Sequence, residues 1–139
     1  MTAYTQPSTI LTDAAVLAML NAAVAKAAEM GQPQCIVIVD ASGETLGEVR
    51  MYGAKYLSRK SARAKARTAA SIGAPSATVR EAVRLTIAAA TQGEVTGLGG
   101  GLPIRVAGDL LGGIGVGSGT PDQDVAVAEA ALVAIGAEV

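Results

Sequence analysis

Two glycine-dense runs, the second ending in a carboxylate, form the part of this chain best suited to chemistry. They read Gly-Leu-Gly-Gly-Gly-Leu-Pro-Ile at 97–104 and Gly-Gly-Ile-Gly-Val-Gly-Ser-Gly-Thr-Pro-Asp-Gln-Asp at 112–124. Most of the 17 glycines in the 139 residues fall between Gly93 and Asp124. Such density points to tight turns, positive φ angles, or close approach of the backbone to a ligand or another chain. Thr120-Pro121-Asp122-Gln123 reads as a helix start, with Thr as N-cap, Pro at the first helical position and Gln three residues after the cap. A glycine-lined strand entering a helix offers backbone N–H groups and the positive end of the helix dipole, a setting that favours an anion. Asp124 in that first turn is the best available general base. The dipole alone accounts for Asp122.

Cations are the second ingredient. Seven of the eleven Lys and Arg residues lie between Arg50 and Arg67. Arg59, Arg63 and Arg67 recur at helical i, i+4 spacing and read as a solvated face, with Ala62, Ala66, Ala69 and Ala70 on the inner side. Arg50 and Lys65 are the cations expected to reach the glycine-lined pocket and pair with a ligand carboxylate or phosphate. Tyr52 and Tyr56 flank this stretch, either as a pocket wall or as ordinary packing. Cys35 opens an apolar run and reads as a buried, inert thiol.

Several chemistries are excluded. With no histidine, Ser-His-Asp and Cys-His arrangements and His-based zinc sites cannot form within the chain. One cysteine leaves no internal disulfide and no Cys-rich metal cluster. The glycine runs carry neither a Gly-Lys-Ser/Thr phosphate loop nor a Gly-x-Gly-x-x-Gly fingerprint. A net charge of −1 with neither Phe nor Trp argues against nucleic acid and anionic membrane as partners.

The elements that must position these residues follow from periodicity. An amphipathic helix is expected over 9–30, stopped by Gly31-Gln32-Pro33. Cys35-Ile-Val-Ile-Val and residues 44–51 read as two strands around the Asp40–Gly43 turn. Residues 58–71 are expected to be helical. Thr78-Val-Arg-Glu81 reads as a capping box opening a helix that runs to about residue 91. Strands at 103–107 and 110–116 are joined by Gly108-Asp109, read as a two-residue turn, and a last helix covers 121–135. The order α-β-β-α-α-β-β-α with hairpins predicts an α+β fold, an antiparallel sheet carrying helices, in a single domain spanning 1–139.

Half the residues are hydrophobic and alanine is the commonest. Apolar content this high for a small domain predicts a homo-oligomer. No apolar run approaches the roughly 20 residues of a membrane span, and the start Met1-Thr-Ala-Tyr lacks a basic region and an apolar core. A cytoplasmic location is the resulting expectation.

Four motifs taken in order resemble the GlcG/HbpS-like family over nearly the full length. They are Arg50-Met51-x-Gly53-Ala54, Lys65-Ala66-x-Thr68-Ala69-Ala70, Gly100-Gly101-Leu102-Pro103-Ile104, and Gly113-Ile114-Gly115-Val116-x-Ser118-Gly119-Thr120 with Gln123-Asp124. The resemblance implies a profilin-like α-β-α domain with a central antiparallel sheet flanked by helices, usually assembled into oligomers. It implies a pocket for a carboxylate-bearing or tetrapyrrole ligand near the glycine motif, with haem as a cofactor to be considered. By matching positions, the implied pocket residues are Arg50, Lys65, Thr68, Gly100, Gly101, Gly119, Thr120 and Asp124. Where the family often reads Gly-Val-Ser-Gly-Gly-Thr, this chain has Gly115-Val116-Gly117-Ser118-Gly119-Thr120, which moves the hydroxyl by one position. Without histidine, haem iron is left to oxygen, sulfur or tyrosine ligands, and the propionates to salt bridges.

The leading expectation is a binding domain for a small anionic molecule, haem or another carboxylate-bearing metabolite. A cofactor-independent lyase, isomerase or hydrolase with Asp124 as base, and a structural or accessory oligomeric subunit, are the alternatives.

Overall fold

Four strands form one antiparallel sheet in the order β2-β1-β4-β3, in a computed structural model that describes residues 3–139. Met1 and Thr2, where the leader reading begins, lie outside the described residues. Helix α1 (Asp13–Glu29) starts where the Thr12 side chain accepts a hydrogen bond from Ala15 N at 3.1 Å, a few residues later than hydrophobic spacing predicts. The chain turns out of it through Gly31 at φ +67°. Strands β1 (Cys35–Asp40) and β2 (Thr45–Arg50) form the first hairpin, and β3 (Gly101–Val106) and β4 (Asp109–Gly117) the second. Helix α2 (Ser58–Ile72) packs on one face of the sheet, and α1 with α4 (Pro121–Ala134) on the other.

Strand alternation sends Ile36, Ile38, Ile114 and Val116 toward α1 and α4, where they meet Met19, Ala23, Val127, Ala131 and Leu132. Cys35, Val37 and Val39 face α2 and meet Ala62, Ala66 and Ala70. The glycines explain how close that second layer comes. A Cβ on Gly115 would run into Ala62 O, and one on Gly113 into Ala66 O, so the backbone of α2 lies directly against β4. Alanine on the helix and glycine on the strand are the two halves of one close contact.

Two local expectations are corrected. The Thr78–Glu81 capping box does not open a helix: Thr78 Oγ1 donates to Pro75 O at 2.6 Å, and Val79 and Arg80 adopt ψ angles of 123° and 133°. The segment instead forms short 3-10 turns at Ser76–Thr78 and Glu81–Val83 before helix α3 (Arg84–Ala90). In the second hairpin the positive-φ pair is Ala107 (51°) and Gly108 (85°), so the turn sits one residue earlier than Gly108-Asp109, and Asp109 already belongs to β4.

Candidate functional site

Lys65 leaves the inner side of α2 and is 5 % exposed. Its Nζ donates to Val116 O at 2.8 Å and to Asp124 Oδ2 at 3.1 Å. Asp124, 2 % exposed in the first turn of α4, accepts from Gly119 N through Oδ1 at 3.1 Å. Thr120 and Gln123 close a full capping box around it: Gln123 N donates to Thr120 Oγ1 at 3.2 Å and Thr120 N to Gln123 Oε1 at 3.0 Å. The helix entrance therefore holds an anion, and that anion is the protein's own carboxylate.

Glycine makes this packing feasible at two points. Gly100 sits at φ +120°, and a Cβ there would lie 2.6 Å from Val116 O and 3.2 Å from Lys65 Nζ. A Cβ on Gly119 would lie 2.6 Å from Gln34 Nε2 and 2.9 Å from Asp124 Oδ1. Gly101 N is taken by Ser76 Oγ at 2.9 Å, and Ser76 Oγ in turn donates to Leu98 O at 2.6 Å. Thr68 Oγ1 donates to Ala64 O at 2.7 Å and accepts from Thr96 N at 3.0 Å, fastening the loop that precedes β3 onto α2.

Of the residues singled out in the sequence, Lys65, Gly100, Gly119, Thr120 and Asp124 converge at one point, with Gly101 behind Lys65. Thr68 lies one turn further along α2. Arg50 is exposed at the end of β2, in register with Cys35, whose other cross-strand partner is Gly117, and it makes no ion pair among the described residues. Burial pushes the Cys35 thiol above its ordinary range, while the positive charges of Arg50 and Arg59 oppose that rise.

Two features have no clear sequence signal. Gln34 is fully buried, and neither its Nε2 nor its Oε1 finds a partner among the described residues, although it touches the Gly119–Asp124 corner. The other is a pair of adjoining surface grooves along the first half of α2. One, about 390 Å³, is lined by Leu57, Lys60, Arg63, Gln92, Thr96 and Leu98 among others. The second, about 540 Å³, is lined by Tyr56, Arg59, Glu48 and again Leu57, Lys60 and Arg63. Arg59 is tied to Glu48 at 2.6 Å, which raises its already high pKa further. Lys60 and Arg63 have no carboxylate within ion-pair distance among the described residues. Leu57 is 65 % exposed and Tyr56 70 %. Each groove thus sets Leu57 beside the unneutralised Lys60 and Arg63, and each volume is in the range of small-molecule sites.

Comparison with known proteins gives a consistent result. The family model described as haem degrading protein HbpS-like matches residues 11–133. The corrinoid adenosyltransferase PduO of Citrobacter freundii is 36 % identical over 122 residues, covering 84 % of this chain and 36 % of that protein. The chain thus spans about a third of that relative's length. Among solved structures, the Klebsiella pneumoniae protein ORFY is 28 % identical with a TM-score of 0.92, covering 100 % of this chain and 99 % of that one. A PduOC–haem complex is 29 % identical with a TM-score of 0.87, covering 94 % and 98 %.

Proposed function

The chain belongs to the HbpS-like family, and from there we propose that it binds a planar, carboxylate-bearing ligand of the haem type in the basic groove beside α2. The observation that carries this reading is the pairing of Lys60 and Arg63, cations without acidic partners among the described residues, with the exposed apolar surface of Leu57 and Tyr56. A tetrapyrrole asks for that combination: a hydrophobic wall for the macrocycle and cations for the propionates. The likeness to a PduOC–haem complex supports the same ligand class. The guanidinium of Arg63 and the ammonium of Lys60 are groups that suit propionates.

Lys60 and Arg63 take the carboxylates in this reading. Lys55 lines the neighbouring end of the same surface with Tyr56 and Leu57, and Arg50 adds positive charge beside Cys35. Lys65, Thr68, Gly100, Gly101, Gly119, Thr120 and Asp124 serve as the frame that holds α2 and the loop before β3 in place. A proton-transfer role for Asp124 has less support, because both of its carboxylate oxygens are engaged and it is 2 % exposed. Self-association belongs to the same reading: Leu98 (57 % exposed) lines one groove, and Leu85 (88 %) on α3 adds further exposed apolar surface.

The test is titration of the purified protein with hemin, followed by absorbance, in wild type and in Lys60→Glu and Arg63→Glu variants. The expected result is saturable binding by wild type that falls by at least about tenfold in each variant, a loss of about 1.4 kcal/mol or more. Equal affinity in all three proteins would remove the groove from the argument.

A further inference from the structure

We infer that copies of this chain associate head to tail, with the basic face of α2 on one copy seated on the acidic outer face of α1 and α4 on the next. The inference goes beyond the ligand reading above and requires no ligand.

Charge is sorted along the chain and therefore across the sheet. Nine of the eleven Lys and Arg residues lie between Arg50 and Gly100, with only two of the twelve carboxylates. Helix α2 holds five of those cations and no carboxylate. Helices α1 and α4 together hold five carboxylates and a single cation, Lys26, which is tied to Glu29 at 3.6 Å. Because α2 packs on one face of the sheet and α1 with α4 on the other, the two signs end on opposite sides of the molecule. With a net charge of only −1, one copy repels another weakly, and the separation of charge governs how they meet.

Both faces carry unpaired charge next to exposed apolar side chains. On the α2 side, Lys60 and Arg63 stand one turn apart beside Tyr56 and Leu57. On the other side, Asp122 and Glu129 at i, i+7 spacing share an outer stripe of α4 with Val133, which is 65 % exposed. Asp13 and Leu17 (61 % exposed) repeat the pairing at i, i+4 on the adjoining α1. None of Asp13, Asp122 and Glu129 has a cation within ion-pair distance among the described residues. Each face thus offers the other an opposite charge and apolar surface to cover.

The signs also select the symmetry. A two-fold pairing through α2, or through α1 and α4, sets like charges against each other and is opposed. Basic face on acidic face is a heterologous contact, which repeats from copy to copy and either closes as a ring or continues as a stack. A neighbour seated on α2 covers both grooves, so a groove ligand and association compete for Lys60 and Arg63.

The experiment measures self-association of the whole chain by analytical ultracentrifugation without hemin, so its failure and that of the ligand reading are separate results. Wild type is expected to associate, with a dissociation constant that rises at least about tenfold between about 50 mM and about 500 mM salt. The double variant Lys60→Glu with Arg63→Glu, and separately Asp122→Lys with Glu129→Lys, are each expected to associate at least about tenfold more weakly. An equimolar mixture of the two is expected to regain wild-type association, because each reversed face then meets its opposite on the other protein. That recovery also shows that both variants are folded. If a reversed variant fails to fold, Lys60→Gln with Arg63→Gln takes its place and is expected to flatten the salt dependence. Wild type that stays monomeric or associates equally at both salt concentrations overturns the inference. So do reversed variants that associate as wild type does, or a mixture that stays dissociated.

Discussion

Lys65 Nζ and Asp124 Oδ2 lie 3.1 Å apart, joining helices that pack on opposite faces of the sheet. Isolated charges at this depth would be costly, but each is satisfied: Lys65 also reaches Val116 O, and Asp124 also accepts from Gly119 N. Gly100 keeps the space between them free of a side chain. The pair is a clasp at the end of β4 that links the two helical layers.

Breaking that clasp from one side leaves an uncompensated buried charge. Asp124→Asn and Lys65→Met are each expected to cost about 3–5 kcal/mol in urea unfolding. The double replacement Lys65→Met with Asp124→Leu is expected to cost less than the sum, because no charge is then stranded. Single-variant losses below about 1 kcal/mol would show that the pair behaves as a solvated one.

Gly115 and Gly97 separate two roles for glycine. A Cβ on Gly115 meets the backbone oxygen of Ala62, which cannot move without displacing α2, so Gly115→Ala is expected to destabilise by at least about 3 kcal/mol or to prevent folding. At Gly97 the obstacle is the Arg84 side chain, which can swing aside at the loss of its bond to Val79 O, so Gly97→Ala is expected to cost about 1 kcal/mol. Thermal unfolding of the two variants side by side decides it, and similar losses would contradict the close helix–strand contact.

Thr120 caps α4 through its hydroxyl. Thr120→Ala is expected to lower stability by about 1 kcal/mol, and Thr120→Ser to retain most of it. Chemical denaturation of the three proteins checks this, and a Ser variant as unstable as the Ala variant would argue against the hydroxyl as the cause.

Burial raises the Cys35 thiol pKa, which fixes the sign of its effect on stability. The folded protein favours the neutral thiol. Its contribution is therefore fully present below the unfolded thiol's pKa and is lost as pH rises through the folded one. Cys35→Ala is expected to flatten the alkaline limb of a stability–pH profile, and native Cys35 to react slowly with an aromatic disulfide reagent. Rapid stoichiometric labelling of the folded protein would contradict the burial.

Much of the fold could be read from local patterns, because local patterns carry its causes. Thr120-Pro121-Asp122-Gln123 contains every group of its own capping box, so four consecutive residues suffice to place the start of α4. The apolar run Cys35–Val39 and the alanine face of α2 were equally visible, the first recording a strand buried on both faces and the second a helix buried on one. Thr78 shows where this fails. Its hydroxyl satisfies Pro75 O instead of capping a helix, and the two outcomes share one sequence pattern.

The candidate site divides in the same way. Residue types and spacing alone determined that Thr120 starts a helix, that histidine chemistry is excluded, and that cations cluster between Arg50 and Arg67, whereas Lys65, Gly100, Gly119, Thr120 and Asp124 were grouped by the family resemblance. Only the tertiary structure decided that Asp124 itself fills the anion position at the entrance to α4, and that Lys65 and not the exposed Arg50 pairs with it. It also decided that Lys60 and Arg63 share a groove with Tyr56 and Leu57. The physical reason is that a helix dipole and a set of backbone donors specify a negative charge but not its source. Which carboxylate arrives depends on how α2 and α4 meet across β4, a distance of 59 residues along the chain.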